Sequence, residues 1–223
     1  MRKFLSIIFL FLSASYVSAQ GILEYETRTF TPHWYVGANV AANWYMAEGN
    51  DFLAGTDGVR FSFKDNSGTT FRATLGRRLT PVIGIRGYAG INKYKWLSSY
   101  TNNPVVSFNS EFATADLTIS IVNLLEESYS LKKYDFGFFV GTGFELRNRI
   151  STPTAAVSES SISPVGRVGL EGNFLLSSDI ALTLGGELNF VNDNNNGLVA
   201  GRNYEFIPAV SVGLNYYLKS SKK

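Results

Sequence analysis

Nine charged residues occur in segments where polar or small residues alternate with apolar ones. Their side chains could form buried ion pairs. Alternate side chains of an extended strand point to opposite faces, so these residues share one face of their strands. In a small closed sheet that face lines an interior which side chains just fill, and unpaired charges there would be costly. We therefore expect these side chains to pair with one another in a lumen charge network. They are Arg72, Arg78, Arg86, Asp116, Glu145, Arg147, Arg167, Glu171 and Glu187.

Two arrangements of this network remain open. In the first, opposite charges form salt bridges and fill the interior as a plug. In the second, the same charges line a narrow, gated pore for small solutes or ions. We favour the plug because the sequence, as shown below, predicts eight strands, and a barrel of eight strands leaves little internal space.

Hydrolysis is a third hypothesis, and it depends on His33, the only histidine of the chain. An imidazole base needs hydrogen-bond reach of its nucleophile. The sequence gives no serine and acid that can be assigned to His33, which stands at the foot of the first predicted strand. We expect His33 to make interfacial hydrogen bonds and the protein not to be an enzyme.

Cofactor and metal sites are not expected either. Residues 192–197 are similar to part of a calcium loop, but Asn192 and Asn203 stand where the anionic first and last ligands would be. The spacing of Gly166, Gly169 and Gly172 is not a phosphate cradle, because no strand-to-helix transition follows it. Close approach of strands explains these glycines better.

The elements that must position the charges are strands. Residues 34–44 place Trp34 and Trp44 on one face, about 33 Å apart along an extended strand. A tilt of about 45° reduces this separation to about 23 Å, close to the apolar height of an outer-membrane barrel. Further alternating segments give eight predicted strands in all, separated by connections that are alternately long and short. The predicted strands lie near residues 34–45, 69–80, 83–92, 112–121, 135–147, 167–174, 180–190 and 206–218.

Aromatic residues agree with this topology. They fall near both ends of the predicted strands on the apolar face, as in the two aromatic girdles of membrane barrels. The predicted membrane-interface aromatics are Trp34, Trp44, Phe71, Phe136, Phe144, Phe174, Phe190, Phe206 and Tyr216. The sequence therefore predicts an all-β protein, an eight-stranded antiparallel up-and-down transmembrane β-barrel.

The first 19 residues are typical of a secretory signal peptide, with Arg2 and Lys3 before a short apolar run and a small-residue cleavage motif. Cleavage near Ala19 takes the formal charge of +2 to zero, which gives no reason to expect nucleic acid as a partner. The chain has no cysteine, so disulfides and a lipidated cysteine are excluded. We expect a signal peptide at 1–19, a short periplasmic leader at 20–33, the barrel at 34–218 and a polar periplasmic tail at 219–223.

The long connections include 46–67, 95–109, 151–161 and one around residues 192–197. Val59, Phe61 and Phe63 alternate inside the first of these, so residues 58–66 either extend strands or add a hairpin. A charged turn is predicted at 126–133. Long loops on one side and short turns on the other indicate that the long ones are extracellular.

The whole mature chain resembles the OmpA-like and OmpX-like small outer-membrane barrels, particularly the Bacteroidetes type. The resemblance is carried by Trp-Tyr-Val-Gly-Ala-Asn at 34–39, by residues 115–125, and by Pro-Val-Gly-Arg-Val-Gly at 164–169. We expect no peptidoglycan-binding domain after the barrel, since the sequence stops at Lys223. The resemblance implies a Gram-negative outer membrane, with membrane lipid and lipopolysaccharide around the barrel.

Three functions are therefore carried forward. The first is a structural or binding role through the long extracellular loops, including service as a subunit of a larger outer-membrane complex. The second is a narrow small-solute or ion channel. The third, least favoured, is an outer-membrane hydrolase.

Overall fold

A closed β-barrel forms the described part of the chain. The computed structural model describes residues 30–46, 63–64, 66–97, 105–125, 133–148, 160–192 and 204–218. Each strand pairs antiparallel with the next, and β1 pairs with β8, so the sheet has no open side. The predicted fold class is confirmed. The strands are β1 (His33–Trp44), β2 (Ser67–Arg78), β3 (Ile83–Leu97), β4 (Val105–Ser120), β5 (Tyr134–Arg147), β6 (Ser161–Leu175), β7 (Ile180–Asn192) and β8 (Tyr204–Tyr217).

The outward face of the barrel wall is apolar and the inward face is polar, the reverse of a water-soluble protein. Outward-facing Leu75, Phe144 and Leu170 are 53%, 64% and 64% exposed, whereas inward-facing Arg72 and Arg86 are 6% and 4% exposed. A sheet with an apolar outside and a polar inside suits a surrounding of lipid, in which every backbone group must be paired within the protein.

Two tight turns join strands at one end of the barrel, here named the inner end. Between β2 and β3, the Thr80 hydroxyl accepts a hydrogen bond from the Ile83 amide at 2.8 Å. Between β6 and β7, the Ser177 hydroxyl accepts one from the Ile180 amide at 3.2 Å. Such side-chain bonds stabilise tight turns and fix the register of the strands that they join.

A short helix, α1 (Ile121–Leu125), follows β4 at the inner end. The Ser120 hydroxyl caps it by accepting a hydrogen bond from the Asn123 amide at 3.1 Å. Alternation up to residue 121 predicted strand where this helix begins, and most of the charged turn predicted at 126–133 lies outside the described residues. Among the residues that are described, no helix is long and apolar enough to cross a membrane.

At the opposite, outer end the strands are joined through residues 45–66, 98–104, 148–160 and 193–203, most of which lie outside the described residues. The expected alternation of long and short connections is not strict, because 98–104 is shorter than the inner-end connection 121–133. The loop predicted at 95–109 was wrong in extent, because β3 continues to Leu97 and β4 begins at Val105. The ring centroids of Tyr94 and Phe108, which are paired across this hairpin, lie 5.2 Å apart and extend the ladder. Val59 and Phe61 lie outside the described residues.

Candidate functional site

A layer of six charged residues crosses the middle of the lumen, and we name it the central layer. Its members come from β2, β3, β4, β6 and β7, so closure of the barrel brings together residues far apart in sequence. The central layer consists of Arg72, Arg86, Asp116, Arg167, Glu171 and Glu187.

Cations and anions alternate along this layer. Arg86 contacts both Glu171 and Asp116, the latter at 2.9 Å from Nε to Oδ2. Arg167 Nε lies 3.7 Å from Asp116 Oδ1, and its Nη2 lies 2.6 Å from Glu187 Oε2. Arg72 completes the series with its Nη1 at 2.8 Å from Glu187 Oε1.

Because the central layer has three arginines and three carboxylates, its formal charges sum to zero.

The guanidinium groups of the three arginines lie over the faces of two aromatic rings. The Cζ atoms of Arg72, Arg86 and Arg167 lie 4.6, 4.8 and 4.7 Å from the centroid of Tyr88. Those of Arg86 and Arg167 also lie 4.4 and 5.1 Å from the centroid of Phe139. A cation over an aromatic face is stabilised by the quadrupole of the ring, most strongly away from water. Sequence reasoning placed Tyr88 inward but missed Phe139.

The outer end of the lumen is filled differently, by what we name the outer aromatic cluster. Its members are buried and have mainly apolar side chains. The ring centroids of Tyr45, Tyr94 and Phe108 lie 4.9 to 5.4 Å apart. The cluster consists of Tyr45, Tyr94, Phe108, Val165, Val191 and Ile207.

Two acidic residues and one arginine border this cluster. The Tyr94 hydroxyl donates to Glu145 at 3.3 Å, and the Tyr45 hydroxyl donates to Glu205. Arg147 is 1% exposed at the same end of β5. Glu145 and Arg147, predicted as members of one network, therefore lie in a separate level from the central layer. Glu205 was not predicted, because the alternation of β8 was traced only from Phe206.

A third level lies at the inner end. Arg78, another predicted network member, forms its ion pair with Asp135, and Ser120 donates a hydrogen bond to the same carboxylate. Asp135 was predicted to face inward but was left out of the predicted network. The nine predicted charges thus occupy three levels of the lumen.

His33 also lies at the inner end. Its Nδ1 lies 2.9 Å from the Thr31 carbonyl oxygen, and its ring meets Tyr217 edge-on at 5.3 Å. Among the described residues, the hydrogen bond of the His33 ring is to this backbone carbonyl and not to a serine hydroxyl. The part of the chain that the structure describes also contains no cluster of three His, Cys, Asp or Glu side chains that could hold a metal ion.

Two small cavities lie on opposite sides of the central layer. One, of about 40 Å³, opens between His33, Tyr35 and Arg86 toward the inner end. The other, of about 20 Å³, lies between Arg72 and Tyr94 toward the outer end. Cavities of this size hold a few water molecules at most.

The predicted interface aromatics lie on the outward face. Phe136 and Phe174 pack edge-on at 5.5 Å near the inner end, and Phe190 and Phe206 do so at 5.5 Å near the outer end. Trp44 packs on Phe63 at 6.0 Å. The remaining outward-facing members are Trp34, Phe71, Phe144 and Tyr216.

Comparison with known proteins identifies the fold. No family model and no curated protein sequence matches the chain. Neisserial surface protein A has a similar structure, with 13% identity, a TM-score of 0.51, and coverage of 84% of this chain and 99% of that one. Ail, the attachment invasion locus protein of Yersinia pestis, matches with 10% identity, a TM-score of 0.51, and coverage of 85% and 100%. Another Ail structure, in complex with the heparin analogue sucrose octasulfate, has 11% identity and a TM-score of 0.50. The chain thus has the fold of small eight-stranded outer-membrane barrels of the OmpA/OmpX-like type.

Proposed function

We propose that this protein is an outer-membrane β-barrel with a structural or binding role, neither catalytic nor conductive. The observation that carries the proposal is the central layer, in which three buried arginines pair with three carboxylates across the lumen. Ions passing along the axis would have to break these pairs in a low-dielectric interior.

The outward face of the barrel supports a location in the membrane. Its apolar outward face is bounded by aromatic side chains at both ends, which is the arrangement expected of strands that cross a bilayer. The signal-like residues 1–19 support export, with the inner end of the barrel in the periplasm. The family resemblance supports a Bacteroidetes-type member of the OmpA/OmpX-like group.

Binding is assigned to the outer end. The long connections lie there, on a wall held rigid by backbone pairing and by the filled lumen. Loops on a rigid scaffold are the usual carriers of recognition. The proposal is that they contact outside ligands or partner proteins, including partners in a larger outer-membrane complex.

Conductance in planar bilayers tests this proposal against the channel alternative, which is supported by the two water-sized cavities beside the central layer. The folded barrel is first identified by different migration of unheated and heated samples on SDS gels. We expect no steady conductance from the wild-type protein. Steady conductance that changes in Arg86→Gln or Glu145→Gln would replace the proposal with a channel.

The hydrolase hypothesis has no support in the contacts of His33. The Nδ1 atom of His33 lies 2.9 Å from the carbonyl oxygen of Thr31, not from a nucleophile. Hydrolysis of a lipid or peptide substrate that is lost in His33→Ala would restore this hypothesis.

A further inference from the structure

An open groove runs over the outward face of β2, β3 and β4. Its floor consists of the small residues Ala73, Gly87, Ala89 and Ala115, and its volume is about 810 Å³. Larger apolar side chains border it, namely Trp34, Leu75, Ile85 and Leu117. Pairing aligns the floor across the strands, with Ala73 opposite Ala89 and Gly87 opposite Ala115.

Backbone crowding does not impose this floor. A Cβ atom added at Gly87 would meet nothing closer than the Thr114 carbonyl oxygen at 3.7 Å, so a larger residue fits there. At inward-facing Gly90 the same atom would lie 2.2 Å from the Phe71 carbonyl oxygen, so that position requires glycine. The groove is thus an unfilled depression in the wall.

The opposite wall gives the contrast. Gly186 of β7 is also outward-facing, and an added Cβ would meet nothing within 4 Å. Its pairing partners are Leu170 and Val210, whose side chains are 64% and 54% exposed and stand out from the wall. On the β2–β4 side the small residues instead adjoin one another from strand to strand, and Ala38 of β1 continues the row beside Ala73.

A cation stands at the inner end of the groove. Arg77 pairs with Trp34 and Ile85 across the strands, and its Cζ lies 5.2 Å from the Trp34 ring centroid. Its buried Nε has no hydrogen-bond partner, and no carboxylate among the described residues forms an ion pair with it. The adjacent Arg78, on the other face of β2, is paired with Asp135.

We propose that this groove binds one phospholipid, with an acyl chain over Ala73, Gly87, Ala89 and Ala115 and the phosphate on Arg77. The inference rests on the proposed membrane location. Trp34 lies where indoles prefer to sit, at the level of lipid headgroups. A guanidinium beside it meets lipid phosphates at their own depth and binds them through paired N–H donors.

The positive charge of Arg77 favours a lipid over a protein as the occupant of the groove. A transmembrane segment of a partner, or a second copy of this barrel, would cover the apolar floor equally well. A phospholipid joins an acyl chain to an anion in one molecule and so matches both the floor and Arg77, whereas a protein segment would need an acidic side chain placed at Arg77 within the membrane, which is costly. A phospholipid of the inner-end leaflet has this chemistry.

Native mass spectrometry of the refolded full-length barrel in detergent tests the assignment. The probes are palmitoyl-oleoyl phosphatidylglycerol and palmitoyl-oleoyl glycerol, which share acyl chains and differ in the phosphate headgroup. We expect one phosphatidylglycerol bound about tenfold more tightly than the diacylglycerol, the scale of one charge-assisted interaction. Arg77→Gln should remove this preference, and Gly87→Leu should weaken both lipids by filling the groove.

Matched variants control for each change. Lys93→Gln removes an outward-facing cation from the outer part of the same wall, and Gly186→Leu adds the same side chain to the opposite wall. Both should bind lipid as the wild type does. All variants must first show the heat-dependent gel shift, so loss of folding is separated from loss of lipid.

Three results would overturn the inference. Equal affinity of the wild type for the two lipids would exclude Arg77 as a phosphate ligand. Equal loss in Gly87→Leu and Gly186→Leu would exclude a specific groove. A stoichiometric protein that co-purifies with the wild type from native membrane and is lost in Gly87→Leu, with lipid binding of the refolded variant unchanged, would assign the groove to that partner. Absence of the heat-dependent shift in the wild type would count against the barrel proposal itself.

Discussion

The middle and the outer end of the lumen are filled by opposite means. The central layer uses three ion-paired arginines between carboxylates and aromatic faces. The outer aromatic cluster uses Tyr45, Tyr94, Phe108 and three aliphatic side chains. Both lie inside one continuous sheet whose strands run through the two levels.

The contrast shows that a narrow barrel can be closed by charge or by packing, with different consequences. Ion pairs need several partners in fixed positions, and removal of one member leaves the others buried without compensation. Apolar packing is lost more gradually, in proportion to the cavity left behind. The central layer should therefore be the more sensitive of the two regions and the main barrier to ions.

The largest effect is expected from Arg86→Met, because it leaves Asp116 and Glu171 without the guanidinium that joins them. The free energy of unfolding should fall by about 4 kcal/mol. Urea unfolding in lipid vesicles, followed by tryptophan fluorescence, measures this change. Arg86→Lys keeps the charge and should recover part of the loss. A loss under about 1 kcal/mol would show that the layer is not a coupled unit.

A somewhat smaller effect is expected from Phe108→Ala in the outer aromatic cluster. Phe108 is 5% exposed, and its truncation should lower the free energy of unfolding by about 3 kcal/mol through the cavity it leaves. Phe108→Leu should cost less, because it leaves a smaller cavity. Bilayer conductance should stay absent in both, since the central layer is intact. Steady conductance in Phe108→Ala alone would make the outer cluster the barrier instead.

The smallest effect is expected from Tyr94→Phe, which removes the hydroxyl that donates to Glu145 and keeps the ring. The free energy of unfolding should fall by about 1 kcal/mol, the usual contribution of one hydrogen bond. The same urea titration measures it, with Tyr204→Phe on the exposed outer rim as the control. A loss as large as that of Phe108→Ala would mean that polar bonds, not packing, hold this end together.

Alternation along the chain by itself determined the class of fold. A period of two residues is a local property, so it could be read from the sequence for each strand, and it placed Arg72, Glu145 and Arg167 inward without knowledge of their partners. It gave direction only, not contacts. Alternation placed Phe138 outward and left its neighbour Phe139 without a role, and only the closed sheet showed that Phe139 lies against Arg86 and Arg167.

Tertiary structure alone decided which charges meet. Arg72 and Glu187 lie on β2 and β7 and are 115 residues apart, and no local pattern relates them. Their contact depends on how far each strand is shifted against the next, summed around the closed sheet. The same shifts put Arg78 with Asp135 and placed Glu145 beside Tyr94. Side-chain direction follows from the backbone of one strand, whereas level in the lumen follows from the register of all eight.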